Sequence, residues 1–264
     1  MNCRTETARA IAGRRQQSPP LAQRMRSWPP LTTALVAINV LVYVAMIATG
    51  VSPMQPTIPQ LLQWGADFGP LTLNGEFWRM LTSNYVHIGL IHIGLNMWCL
   101  WNLGMLAERI FDPWTYIVVY TACGLAGSLN SLFWHPVGVG AGASGAIFGL
   151  AGALIAALYL GHLPVSRQAM QGTLRSLLTF AGYNLLFGAI GSGIDNSAHI
   201  GGLVAGLATG AALSHHLTSG PGVRRTWRTY IAVATVLLMI LGTSYLRKHN
   251  QLPPLPKDFL QPDH

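Results

Sequence analysis

Seven stretches of this chain, at about 31–50, 84–106, 114–134, 143–160, 173–190, 197–217 and 227–246, are long and apolar enough to cross a lipid bilayer. A span needs roughly 20 mainly apolar residues. Only helices or closed barrels satisfy their backbone polar groups in lipid, and uninterrupted apolar runs select helices. The chain is 51% apolar and 9% charged, against about 25% charged for an average soluble domain. These features predict an all-α polytopic membrane protein with the lipid bilayer as its solvent. The fifth stretch is the most diluted, by Asn184 and several glycines.

Composition excludes several functions. None of the eight acidic residues, Glu6, Asp67, Glu76, Glu108, Asp112, Asp195, Asp258 and Asp263, falls near the centre of a span. That argues against a proton-coupled carrier and against an aspartyl protease working within the membrane, which needs two carboxylates there. No His-Glu-x-x-His occurs, so the helical zinc-protease motif is missing. Cys3, Cys99 and Cys123 have neither a disulfide framework nor metal-ligand spacing. No metal and no cofactor is expected.

The net charge of +8 is a topology signal and not a nucleic-acid footprint. Arg4, Arg9, Arg14, Arg15, Arg24 and Arg26 precede the first span, and Arg224, Arg225 and Arg228 cluster before the last. If the N-terminal tail stays inside, twelve Lys and Arg lie on the cytoplasmic side and four (Arg79, Arg247, Lys248, Lys257) outside, as the positive-inside rule requires. The tail could instead be an Arg-rich organelle-targeting segment, but Glu6 and its prolines count against that. The expected organisation is a basic cytoplasmic tail (1–30), a six-helix core (31–217), a cytoplasmic linker with a seventh transmembrane helix (218–246), and an extracytoplasmic tail (247–264). Pro53, Pro56, Pro59 and Pro70 break the segment 51–82. Its Trp64, Phe68, Phe77 and Trp78 suit a loop lying in the outer interface.

Polar residues inside spans need a reason. Ser144 stands in Gly142-Ala143-Ser144-Gly145 at the start of span four, and His199 at the start of span six. His87, His92 and Asn96 fall in the outer half of span two. Even-numbered spans all begin on the outer face, so parity alone brings these five residues to a similar depth. Ser144 to Gly161 covers about 26 Å of helix, so Ser144 should sit somewhat below the surface of a ~30 Å core. The run from Pro136 to Gly142 would dip in to meet it, which irregular backbone tolerates only beside protein or a wet cavity. Gly145 and Gly149 on span four, and Gly202, Gly206 and Gly210 on span six, have the spacing of closely packed membrane helices. His199, Gly202 and Gly206 share one helix face. A nucleophile and a base at one depth suggest serine-protease chemistry beneath the membrane surface.

At these residues the chain resembles the rhomboid family of intramembrane serine proteases. Gly142-Ala143-Ser144-Gly145, His199-Ile200-Gly201-Gly202 with Gly206, His92 and Asn96 as His-x-x-x-Asn with His87 upstream, and Trp78-Arg79 in the first external loop all match. The resemblance covers about residues 31–217, and span seven resembles the family's additional C-terminal helix. It implies a six-helix core plus one helix, and a Ser144–His199 dyad without an acid. It implies oxyanion donors from Asn96, His92 and the Ser144 backbone N–H, and transmembrane proteins as substrates. Phe148 stands where the family often has Tyr packed on the dyad histidine; stacking needs only the ring.

Other residues are expected to be structural. Asp195, Asn196 and Ser197 are N-cap types, so Asp195 is not expected to be a third catalytic member. Glu108-Arg109 and Trp78-Arg79 are expected to be structural anchors. His135, His162, His215, His216 and His249 fall at span ends or in loops. Two alternatives stand beside this reading: a catalytically silent relative that binds membrane proteins, although such relatives usually lack the serine or histidine present here, and a transporter or channel lined by His92 and His199. No secretory or organellar signal stands out, which points to a bacterial inner membrane. Substrate identity and oligomeric state are not encoded in any recognisable pattern.

Overall fold

A computed structural model describes residues 28–161, 163, 166–190, 193–250 and 252. The arginines of the N-terminal tail, Cys3, His162 and most of the C-terminal tail lie outside these residues. The described chain forms ten helices in the order α1 (Pro30–Ala48), α2 (Ile58–Gln63), α3 (Gly69–Thr72), α4 (Arg79–Thr82), α5 (Leu90–Ile110), α6 (Pro113–Trp134), α7 (Ser144–Leu160), α8 (Arg167–Ile190), α9 (Asn196–Ser214) and α10 (Pro221–Asn250). Seven of them are the expected spans. By length and composition α1, α5, α6, α9 and α10 can each cross a membrane, while α7 is apolar but only 17 residues long. The longer α8 falls short of the same hydropathy because Gln168, Gln171, Arg175 and Asn184 interrupt it.

Helix ends follow local chemistry. Asp112 caps α6, accepting from the Thr115 N–H at 3.2 Å, with Pro113 in the first turn. Pro at that position costs no hydrogen bond and presets φ. Thr57 and Gln60 form a reciprocal capping box on α2. The start of α1 is capped from a distance: Glu108 accepts from the Leu31 and Thr32 amides at 2.9 Å each and from Thr32 Oγ1 at 2.8 Å. A carboxylate there meets the positive end of the helix dipole, so the structural role expected of Glu108 is to fasten α1 to α5.

The first residue of α5 corrects an expectation. The span was expected from about 84, yet the helix begins at Leu90. Gly89, at φ +88°, sets the break, and a side chain there would press on the Met54 carbonyl at 2.7 Å. His87 is therefore not in the helix but in the loop before it. At the other end of the chain α10 continues to Asn250, so the structured part outlasts the expected span by four residues.

The segment 51–82 is more ordered than its prolines suggest, with α2, α3 and α4 folded around Arg79. That guanidinium is buried and donates to the Leu62 and Ala66 carbonyls at 2.6 and 3.1 Å, and it pairs with Glu76 at 2.7 Å. Its ring neighbour Trp78 stacks beneath it at 4.6 Å. The residue is a loop anchor, because all its strong partners belong to the loop itself.

The centre of the bundle is α7. From Gly145 to Leu158 nearly every residue is buried, and α9, α6, α5 and α8 surround it, with α9 the most extensive neighbour. A Cβ added to Gly202, Gly206 or Gly210 would run into the backbone of Gly145, Gly149 or Ala153. Three successive turns of α9 thus lie directly on α7. Close backbone approach of this kind is what small residues permit in membrane helices. The last helix, α10, leans mainly on α6.

Candidate active site

The loop between α6 and α7 delivers Ser144. Its path is fixed by main-chain bonds to the external loop: Asp67 and Gly140 exchange two bonds of 2.8 Å, Gly69 N–H donates to the Pro136 carbonyl at 2.9 Å, and Gly142 N–H donates to the Ser83 carbonyl at 2.9 Å. Gly142 has φ +120°, and a Cβ on it would stand 2.7–2.8 Å from the His92 ring. Both constraints call for glycine. Ser144 then opens α7, half-buried, so the amides of the first turn have no partner within the helix.

His199 lies in the first turn of α9 and is buried. Phe148, one turn along α7 from Ser144, stacks on its ring with centroids 4.2 Å apart and planes 12° from parallel. Asp195 caps α9 by accepting from the Ala198 N–H at 3.0 Å, and its other oxygen accepts from Ser131 Oγ. Asn130 Nδ2 donates to the Ser197 carbonyl at 2.7 Å. Two polar residues of α6 therefore hold the entry to α9, and with it the height of His199.

Ser144, His199, His92, Asn96 and Phe148 line one cavity of about 160 Å³. It opens between α5, α7, α8 and α9, with Phe180 and Asn184 of α8 on its wall. Among the described residues no hydrogen bond joins Ser144 Oγ to His199, and His199 Nδ1 has no hydrogen-bond partner. Asn96 Nδ2 donates to the His92 carbonyl at 2.9 Å, which leaves its second N–H free of that bond. Ile88 N–H donates to His92 Nδ1 at 3.2 Å. A neutral ring that accepts at Nδ1 carries its proton on Nε2. His87 is fully buried beside His92, with ring centroids 5.3 Å apart, and engages the Tyr85 carbonyl through Nδ1. Trp78 and Arg79 stand outside the cavity, in the loop anchor already described.

The clamp at Asp67 was not foreseen. Its carboxyl is buried, accepts from Thr72 Oγ1 at 2.5 Å and leaves Oδ2 unpartnered. Burial pushes its pKa up to about 7, with hydrogen bonds from the Thr72 hydroxyl and the Phe68 backbone and then Arg79 pulling the other way, and Asp195 adding to the rise. The folded chain therefore holds a proton that the unfolded chain has released, from the ordinary carboxylate range up to about pH 7. Stability contributed by that proton is complete at low pH and is lost as pH rises to neutrality, by up to about 1.4 kcal/mol per pH unit. Asp67→Asn should flatten the decline of thermal stability between pH 5 and 7.5 measured in detergent. An unchanged slope would place the titrating group elsewhere.

No metal-binding cluster of His, Cys, Asp or Glu occurs among the described residues, and Cys99 and Cys123 are free thiols.

Residues 74–216 match the family model described as Rhomboid domain. The chain is 34% identical over 222 residues to rhomboid protease GluP of Bacillus subtilis (strain 168), covering 83% of this chain and 40% of that protein. It is 29% identical over 198 residues to rhomboid protease AarA of Providencia stuartii, covering 67% and 69%. With rhomboid-like protease 2 of Toxoplasma gondii it shares 30% identity over 212 residues, covering 77% and 74%. The chain thus spans less than half the length of GluP and about seven-tenths of the other two.

Proposed function

Because the chain belongs to the rhomboid family, we propose that it is an intramembrane serine endopeptidase whose dyad is Ser144 and His199. The observation that carries this reading is the shared cavity. Residues from three helices, Ser144 on α7, His199 on α9 and His92 with Asn96 on α5, line a single pocket. Each supplies a different part of acyl-transfer chemistry.

Ser144 Oγ attacks the scissile carbonyl while His199 takes its proton. Proton transfer requires the two side chains to close to about 2.6–3.2 Å, and such contacts tighten when substrate binds. The tetrahedral oxygen is met by the Ser144 backbone N–H, the free N–H of Asn96 and Nε2–H of His92. Charge developing in a pocket with little water makes each donor worth about 3–4 kcal/mol. His199 then returns the proton to the departing amine, and water releases the acyl group by the same sequence. Phe148 holds the imidazole plane throughout. Residues Gly142, Gly145, Gly202 and Gly206 serve the site by letting the backbone carry these groups close together.

The substrate class follows from the geometry a protease needs. A helix hides its carbonyls in internal hydrogen bonds, so the preferred substrate is a transmembrane protein whose helix unwinds near its outer end. The protein works in a bacterial inner membrane with its N-terminus cytoplasmic and its C-terminus extracytoplasmic, a reading that rests on the positive-inside distribution of Lys and Arg along the sequence. In reconstituted liposomes, a single-pass substrate with Gly and Pro in its outer third should be cut, and the same segment rebuilt from leucine should not. Equal cleavage of both would contradict the reading.

Asn96→Ala tests the oxyanion assignment. It should lower kcat about a hundredfold and leave KM nearly unchanged, because the lost interaction exists only in the transition state. A rise in KM at constant kcat would make Asn96 a substrate-binding residue instead.

A further inference from the structure

The seventh helix does not seal against the core. Between α10, α6 and α9 run two adjoining cavities of about 340 and 480 Å³, which share Ala126, Ala205, Ala208 and Leu238. Their walls are almost wholly apolar, and alanine and glycine line much of the α6 and α9 sides. The slot is bounded on both sides by helices of this chain. The smaller cavity follows α10 from Trp227 to Leu238. Eleven residues are about 17 Å of helix, close to half of a ~30 Å hydrocarbon core, which is the depth one acyl chain occupies.

Charge collects on α10 beside that cavity, at Arg224 and Arg228 on either side of Trp227 in its wall. Arg224 and Arg228 both approach Asp112, at 3.4 and 2.8 Å, so two guanidinium groups meet one carboxylate and one positive charge is left over. Arg228 reaches Asp112 through a single nitrogen, which leaves other N–H donors of its fork unused. Trp227 and Tyr230 stand at the same level, as aromatic residues do at a lipid interface, and His216 stacks on Trp227 at 4.8 Å. This end of the bundle is opposite the one that holds Ser144, because α6 and α10 run parallel, from Asp112 beside Arg228 to Phe133 beside Tyr245.

We propose that this slot binds an anionic phospholipid of the leaflet opposite the candidate active site, its acyl chain lying between α9 and α10 and its phosphate on Arg228 and Arg224. Basic pockets between transmembrane helices recognise anionic head groups for this reason. The bound lipid fills the wedge that joins the seventh helix to the core, and it fixes where α10 stands.

Native mass spectrometry of the delipidated full chain, titrated with phosphatidylglycerol or phosphatidylcholine of identical acyl chains, tests this. One phosphatidylglycerol should bind per chain, several-fold more tightly than phosphatidylcholine. Arg228→Gln should weaken phosphatidylglycerol about fivefold and leave phosphatidylcholine unchanged. Arg225→Gln, the same loss of charge on the other side of α10, should do much less. Ala208→Leu narrows the slot and should weaken both lipids, a result that does not depend on the arginines. Equal affinity for the two lipids, equal losses from the two arginine variants, or a slot occupied by a second copy of the chain would each overturn the proposal.

Discussion

Ser144→Ala and His199→Ala are each expected to reduce cleavage of a transmembrane substrate by about ten-thousandfold or more, to the background of the assay. On the proposed mechanism the two groups act as one unit, so the double variant should be no slower than either alone. Neither change removes a hydrogen bond present in the resting structure. Ser144 is half-buried at the cavity wall, and His199 Nδ1 is already unpartnered. Ser144→Ala should therefore fold and unfold like the parent, while His199→Ala, which deletes a buried ring stacked on Phe148, should keep its fold at lower stability; in both the loss should appear chiefly in turnover. Multiplicative losses in the double variant would mean that serine and histidine serve separate steps.

The second large effect concerns the seam between α7 and α9. In Gly206→Leu the first added carbon already collides with the Gly149 carbonyl, and no rotamer can relieve a clash at Cβ. The helices must part, at about 3 kcal/mol, the upper end for overpacking. Activity should fall with stability, because separation carries His199 away from Ser144. Gly182→Leu supplies the contrast. A Cβ at Gly182 meets nothing within 4 Å, and leucine favours a helix over glycine by nearly 1 kcal/mol. Thermal unfolding in detergent should rank Gly206→Leu far below the parent and Gly182→Leu at or above it. Similar behaviour of the two would remove the close seam from the explanation.

Much of this was readable in the sequence because membrane helices have few alternatives. Five of the seven helical stretches follow from apolar run length alone, while α7 is shorter and α8 more polar than a simple span. That Ser144, His199, His92 and Asn96 line one cavity agrees with the count of crossings. Position of the glycine seam follows from helical spacing, since Gly202, Gly206 and Gly210 recur every fourth residue. What could not be read depends on contacts between distant segments. Gly89 stops α5 short because Met54 lies against it, and nothing in the local sequence announces that neighbour. The loop 51–82 folds because Arg79 finds carbonyls 13 and 17 residues away. The pairing of Asp67 with Gly140, which steers the loop leading to Ser144, joins two stretches with no shared pattern. Asn130 and Ser131 were a missed signal. Polar side chains within an apolar span require partners, and theirs are the two ends of the α9 cap, the Ser197 carbonyl and Asp195.

The most direct measurement is the site of covalent labelling. A fluorophosphonate reacts only with a serine whose neighbour can take its proton, so peptide mapping of the labelled protein reads nucleophile and base together. The expected result is a single adduct on Ser144, absent in His199→Ala. An adduct on another serine, or full labelling of Ser144 without His199, would contradict the account.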